Sequence, residues 1–150
     1  MATRKETADA LKQMVVMHFC KRNYACFVEQ GVNRRGRLRA DVIAMALTGH
    51  IVIVEVKSCK ADYTTDKKHQ DYLPYCDQFY HCWPKDFGVE LPAGTGLLLP
   101  NTVGHLKVAK RASINKMEGA VRRMLITRLA WRAGTFSKRT GVVRRRIFIT

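Results

Sequence analysis

Acidic residues are scarce in this sequence and nearly vanish towards its end. Twelve Asp and Glu stand against 27 Lys and Arg, a net charge of +15. Residues 101–150 hold one acid, Glu118, beside 13 Lys and Arg. An excess so unevenly placed points to a polyanionic partner, nucleic acid being the commonest and an anionic membrane surface the competitor. Long apolar runs are also missing. None reaches the roughly 18 residues that span a bilayer, and Met1-Ala2-Thr3-Arg4-Lys5-Glu6 lacks the layout of a signal peptide. The expectation is a cytoplasmic protein that does not enter membranes. No Cys-x-x-Cys occurs among the five cysteines, and an odd number leaves at least one thiol unpaired. His81-Cys82 near Cys76 matches no common zinc spacing, so buried or partly buried thiols are the better reading. Gly94 and Gly96 are not followed by Gly-Lys-Ser/Thr and a helix, which sets a phosphate loop aside. Without an internal repeat or a clear linker, the chain reads as one domain over residues 1–136 and a basic tail over 137–150.

What is present is ordered by period. Thr3-x-x-Glu6 is a capping box, and Leu11, Met14, Val15, His18 and Phe19 follow at helical spacing until Lys21-Arg22-Asn23. His18 on that stripe reads as a core histidine. Tyr24 to Glu29 is a short strand, and Gly31 to Arg39 a loop. Ala40 to Leu47 and Ile51 to Val56 are nearly continuous apolar runs rich in β-branched residues, as in strands covered on both faces. Thr48-Gly49-His50 between them has hairpin chemistry. Beyond Ser58 to Tyr63 a short helix is expected, capped by Thr65 or Asp66 and closed by Pro74. Gln78 to Trp83 and Leu97 to Leu99 read as strands. A long basic helix is expected from about Ser113 to Arg132, with Ile114, Met117, Val121, Met124 and Leu125 on one face. Ile147-Phe148-Ile149 suggests an edge strand.

Two strands carry charges where burial should forbid them. Ile51-Val52-Ile53-Val54 runs straight into Glu55 and Lys57, whose i, i+2 spacing places them on one face of a strand. Asp41 repeats the anomaly just before Val42-Ile43-Ala44-Met45. Buried charges are costly unless compensated. Asp41 joins the other two only if paired residue numbers across the hairpin sum to an even value. A three-residue loop, Thr48-Gly49-His50, pairing Leu47 with Ile51 meets that condition, whereas a two-residue loop without a bulge breaks it. Two carboxylates in a cleft suit a hard cation, Mg2+ or Mn2+. Such a cation lowers the pKa of a bound water, and Lys57 beside it can orient that water and stabilise a phosphate transition state. A salt bridge closing a sheet edge is the plainer alternative.

The blocks Arg39-Ala40-Asp41-Val42, Ile53-Val54-Glu55-Val56-Lys57-Ser58, Ala61-Asp62-Tyr63, Asp66-Lys67 and Tyr72-Leu73-Pro74-Tyr75-Cys76-Asp77-Gln78-Phe79-Tyr80 resemble the MmcB family, from about Tyr24 to Lys107. These are bacterial DNA-repair factors regarded as part of the PD-(D/E)xK nuclease-like superfamily. The resemblance implies an α/β (α+β) fold, a restriction-endonuclease-like core in which helices flank a mixed β-sheet and a hairpin bears the acidic ligands. It implies Asp41 and Glu55 as metal ligands, the Val56 carbonyl as a third, and Lys57 as the catalytic lysine. A first-helix glutamate, common in relatives, is available here only as Glu6, with Glu29 as an alternative carboxylate. Ala40 stands where the superfamily's name expects proline. The function implied is a metal-dependent deoxyribonuclease of DNA repair or recombination. The alternative is a DNA-binding accessory that keeps the fold without cleavage. Arg34, Arg35, Arg37 and Arg39 are placed to guide DNA phosphates towards the metal, with Lys60, Lys67 and Lys68 on the other side and the basic helix and tail adding sequence-independent affinity. Gln70 and Tyr72 are candidates to assist a water or phosphate. A homodimer completes the expected partners.

Overall fold

The computed structural model describes residues 1–66 and 68–135. The expected basic tail 137–150, its edge strand at Ile147–Ile149, and Lys67 lie outside the described residues. Among those described, no helix is long and apolar enough to cross a membrane.

Helix α1, Arg4–Cys20, begins at the capping box. The Thr3 hydroxyl accepts the Glu6 N–H at 3.1 Å, and the Glu6 carboxylate accepts the Thr3 N–H at 3.0 Å. Six strands follow: β1 (Tyr24–Gly31), β2 (Arg39–Ala46), β3 (Ile51–Val56), β4 (Gln78–Cys82), β5 (Gly96–Pro100) and β6 (Leu106–Lys110). They form one mixed sheet in sequence order. β1–β2–β3 is an antiparallel meander, β3–β4–β5 is parallel, and β6 returns antiparallel. The two parallel steps bury β3 and β4 at the centre, which explains why β3 is apolar but for Glu55 and why β4 is buried throughout, Gln78 and His81 included.

Helices cover both faces. Leu11, Val15 and Phe19 of α1 pack on Val42, Ala44, Val52, Val54, Tyr80, Cys82 and Leu98. The opposite face, Ile43, Ile51, Ile53 and Phe79, is covered by α3 (His69–Tyr72) and α4 (Gly119–Gly134) through Tyr72, Leu125 and Leu129. The crossover from β3 to β4 runs through α2 (Lys60–Thr65), α3 and a 3-10 turn at Leu73–Tyr75.

Three expectations are corrected. The helix after Ser58 is two short helices, Lys60–Thr65 and His69–Tyr72, so α2 starts at Lys60, before Thr65 and Asp66; the Asp66 carboxylate instead takes the Lys68 N–H at 2.8 Å. The basic helix starts at Gly119, not near Ser113. Residues 113–118 spend their backbone on the rest of the fold, with the Ser113 N–H on the Gly94 carbonyl (2.9 Å) and the Asn115 N–H on the Asp77 carbonyl (2.6 Å). Ile114 accordingly lies exposed while Met117 enters the core. The β2–β3 turn is the third. Ala46 faces His50 across Leu47-Thr48-Gly49, and Ile51 pairs with Met45 rather than Leu47. Gly49 takes the left-handed φ of +89° that such a three-residue turn requires. The loop stays odd and the paired numbers still sum to an even value.

Candidate metal and nucleic-acid site

The β2–β3 ladder ends at Val42↔Val54. One step further, Asp41 lies opposite Glu55, and side chains take over from the backbone ladder. The Asp41 N–H donates to Glu55 Oε1 at 3.0 Å, and the Val56 N–H donates to Asp41 Oδ2 at 2.8 Å. Each carboxylate thus spends one oxygen on the neighbouring strand, which fixes both acids at the splayed end of the hairpin.

Glu55 is only 8% exposed. Burial and then the adjacent Asp41 charge push its carboxyl up to about 8. Burial also raises Asp41, against the pull of the Val56 N–H and of Lys12. A buried and a half-buried carboxyl this close resist joint ionisation. Lys57 continues the strand, its N–H on the Cys82 carbonyl at 3.0 Å. Its charge favours ionisation of both acids, yet its ammonium is bonded to Asp66. Burial is the largest influence and works to raise the Asp66 carboxyl, but the bonds from Lys57 and the Lys68 N–H, with the charges of both lysines, together outweigh it and leave Asp66 below the ordinary carboxylate range.

The donor set fits a hard cation. It offers two carboxylates and the Val56 carbonyl, all oxygen, and no group of three His, Cys, Asp or Glu gathers anywhere among the described residues. Few protein ligands and several waters is the manner in which Mg2+ is commonly held. Zinc chemistry is disfavoured by geometry: Cys82 packs in the core under α1, whereas His81 opens to a cavity on the other side with Glu55.

The remaining candidates are distributed as follows. Glu29, at the left-handed φ of 55°, is held by Lys12 at 2.6 Å and Arg39 at 3.0 Å. It is an ion-pair centre beside Asp41 rather than a free ligand, and it takes Arg39 out of the set of unpaired DNA-facing cations. Glu6 is spent in the capping box. Arg34, Arg35 and Arg37 are exposed on the β1–β2 loop, and Lys60 and Lys68 are exposed near α2 and α3. Gln70 lines a separate hollow with Leu73, Pro74 and Asn115, away from the acids. Tyr72 is buried, donates its hydroxyl to the Arg39 carbonyl at 2.8 Å, and lines the same cavity as Glu55. The basic face of α4 is largely turned inward. Arg122 grips Asp77 with two bonds of 2.7 Å, Arg128 bonds the Asn33 and Arg34 carbonyls, and Arg132 bonds Gln30 and the Val28 carbonyl.

Sequence reasoning missed Lys12, Asp66 and His81 as neighbours of the acids. Lys12 sits among the polar positions of α1, and nothing in its spacing announces a contact with Glu29. Asp66 was visible as a candidate helix cap and as part of the Asp66-Lys67 block, not as a partner of Lys57. His81 pairs with Glu55 across β3–β4, and that partnership is written in the crossover, not in either strand.

A family model for MmcB-like DNA repair proteins matches residues 2–140. The chain belongs to the MmcB-like DNA repair family. The match extends beyond the expected Tyr24–Lys107 and takes in α1 and α4. A solved structure, a protein of unknown function from Silicibacter pomeroyi, is similar at 30% identity and a TM-score of 0.75, over 85% of this chain and 86% of that one. No curated protein matches.

Proposed function

We propose that this member of the MmcB-like family is a metal-dependent deoxyribonuclease of the PD-(D/E)xK kind, acting in DNA repair. The observation that carries the reading is the pair Asp41 and Glu55, each bonded to the other's strand at the open end of a buried hairpin, with Lys57 two residues on. A sheet-edge salt bridge does not require two acids together. That arrangement is costly in a protein whose only task there is stability.

Asp41, Glu55 and the Val56 carbonyl would hold Mg2+ or Mn2+, which when bound supplies a hydrolytic water of lowered pKa and positive charge opposite a phosphate. Lys57 would release Asp66, orient that water and stabilise the negative charge on the phosphate oxygens in the transition state. Arg34, Arg35 and Arg37 would fix the strand through its phosphates without reading bases.

One observation favours a second reading. Lys57 is bound to Asp66, and a permanent pairing would suit a DNA-binding accessory that has lost cleavage. The two are separated by incubating the protein with linear, nicked, branched and single-stranded DNA in Mg2+, Mn2+ or EDTA, beside Lys57→Ala. Metal-dependent cleavage lost in the variant supports the nuclease. Binding without cleavage in any metal supports the accessory.

A further inference from the structure

Glu55 and Lys57 open onto a cavity of about 340 Å3 whose aromatic wall the hydrolytic reading does not use. Tyr63, His69, Tyr72, Phe79 and His81 supply much of its wall, with Val89 and Pro92 completing the apolar lining. These rings form a continuous array. Tyr63 meets His81 edge-on at 5.2 Å, His81 meets Phe79 at 5.0 Å, and Tyr72 stacks on Phe79 at 5.9 Å. His81 is 3% exposed, and its Nε2, fully buried, has no hydrogen-bond partner among the described residues. A buried polar atom without a partner is rare in proteins and calls for an explanation; Trp83 Nε1 shares the condition.

The charges of the cavity say what kind of group that is. Glu55, Asp66 and Glu90 line it, and the one lysine that lines it among the described residues, Lys57, is already paired with Asp66. Phosphate is repelled from such a wall. A flat, uncharged ring suits it, because it can stack on the part-exposed rings of Tyr63 and His69, with the buried His81 behind them. Lys57 and Asp66 also line an adjoining, more open cavity with Ser58 and Lys68. The backbone of a strand at that opening would leave one base directed at the aromatic array.

We propose that the aromatic cavity beside Glu55 receives one unstacked nucleobase of the DNA strand, so that the protein engages DNA that is single-stranded or readily unpaired in preference to matched duplex. The inference rests on the reading of this site as one that handles DNA, but not on cleavage. Extruding a base costs least where pairing is already broken, and the cavity thereby becomes a selector for damaged or unpaired sites.

The test is a binding measurement in EDTA, where no hydrolysis intervenes. Oligonucleotides carrying 2-aminopurine are compared as single strand, mismatched duplex and matched duplex, with Tyr63→Ala and His69→Ala as variants whose part-exposed side chains allow folding, checked by thermal melting. The expected result is tighter binding of single strand and mismatch, with a change in 2-aminopurine emission on binding. The single-strand preference should fall on the order of tenfold in Tyr63→Ala, the scale of one lost base–aromatic stack. Equal affinity for all three DNAs with unchanged emission overturns the proposal. So does a preference that both variants leave intact, or binding of free nucleoside monophosphate with no preference among the strands. Base binding without cleavage in any metal would sink the nuclease reading and leave this one standing.

Discussion

Lys57 is ion-paired to Asp66, although its position in the sequence directs it towards Asp41 and Glu55. The ammonium is 20% exposed and the carboxylate 24%, so the pair sits half-sheltered between the two cavities rather than in open solvent. It divides the lysine's charge between Asp66 and the two acids Asp41 and Glu55, whose ionisation that charge favours.

Replacing Asp66 with Asn releases that charge. Lys57 then acts undivided on Asp41 and Glu55, and their carboxyls ionise at lower pH. The acid limb of the cleavage rate against pH should move down in Asp66→Asn, while Lys57→Ala should lower the rate by about a hundredfold or more, as for loss of one transition-state donor. An acid limb that stays in place in Asp66→Asn, measured with a fluorescent substrate, would show that the pair does not govern the acids.

Stability should report the same acids independently of turnover. The Glu55 carboxyl rises from 4.5 to about 8 in the fold. A raised carboxyl binds its proton more tightly when folded, so its contribution is complete below the unfolded value and is lost as pH climbs through the folded one. The metal-free protein should therefore melt at progressively lower temperature between about pH 4.5 and 8. Mn2+ favours the ionised form and should raise the melting temperature more at pH 8 than at pH 6. Glu55→Gln should remove much of both effects. Melting curves in EDTA and in Mn2+ that run parallel across this range would refute a cation at these acids.

Much of this site was readable before the fold. The β2 and β3 runs are so apolar and β-branched that Asp41, Glu55 and Lys57 stand out as charges in the wrong place. The even sum across the hairpin survived even though the turn lies one residue earlier than expected, because Gly49 supplies the left-handed residue of an odd loop. What could not be read depends on distant chain. Residues 113–118 have a helical period, but Gly94 and Asp77 capture their backbone and hold them extended. The arginines of α4 look like a DNA-binding face, yet Arg122, Arg128 and Arg132 meet acceptors on β1, the β1–β2 loop and the β2–β3 turn, far away in sequence. Composition records a charge; only topology decides whether it faces inward.

Arg122 shows what the inward charges do. Asp77 is 5% exposed, accepts the Ile51 N–H at 2.7 Å and is clamped by Arg122. Burial is the largest influence and acts to raise the Asp77 carboxyl, but the Arg122 bond, the Ile51 N–H and the charges of Arg122 and His50 together more than offset it, so the group lies below the ordinary range. Arg122→Ala leaves that carboxylate buried with one backbone partner. The expected cost is about 3 kcal/mol, at the low end for breaking a buried pair because the Ile51 N–H remains. Since a lowered carboxyl stabilises above its unfolded pKa and fails as pH falls, the deficit should be largest near neutrality and shrink on acidification. Denaturant unfolding at neutral and acid pH measures it, and an unchanged midpoint would overturn the account.

The exposed arginines make the complementary prediction. Arg34, Arg35 and Arg37 stand on a loop whose backbone Arg128 secures through the Asn33 and Arg34 carbonyls. Their side chains are exposed and the loop is braced from behind, so they can meet phosphates at little cost in loop order. If each neutralises one phosphate of duplex DNA, the slope of log K against log salt should fall by about 0.9 per arginine, nearly 3 in the triple alanine variant. The weakening should be the same for unrelated sequences, because phosphate contacts position DNA without reading it. Arg39→Ala should change the slope less, since Arg39 is already paired with Glu29. Binding isotherms across a salt series distinguish the four arginines. A triple variant with an unaltered slope would move the DNA path away from this loop.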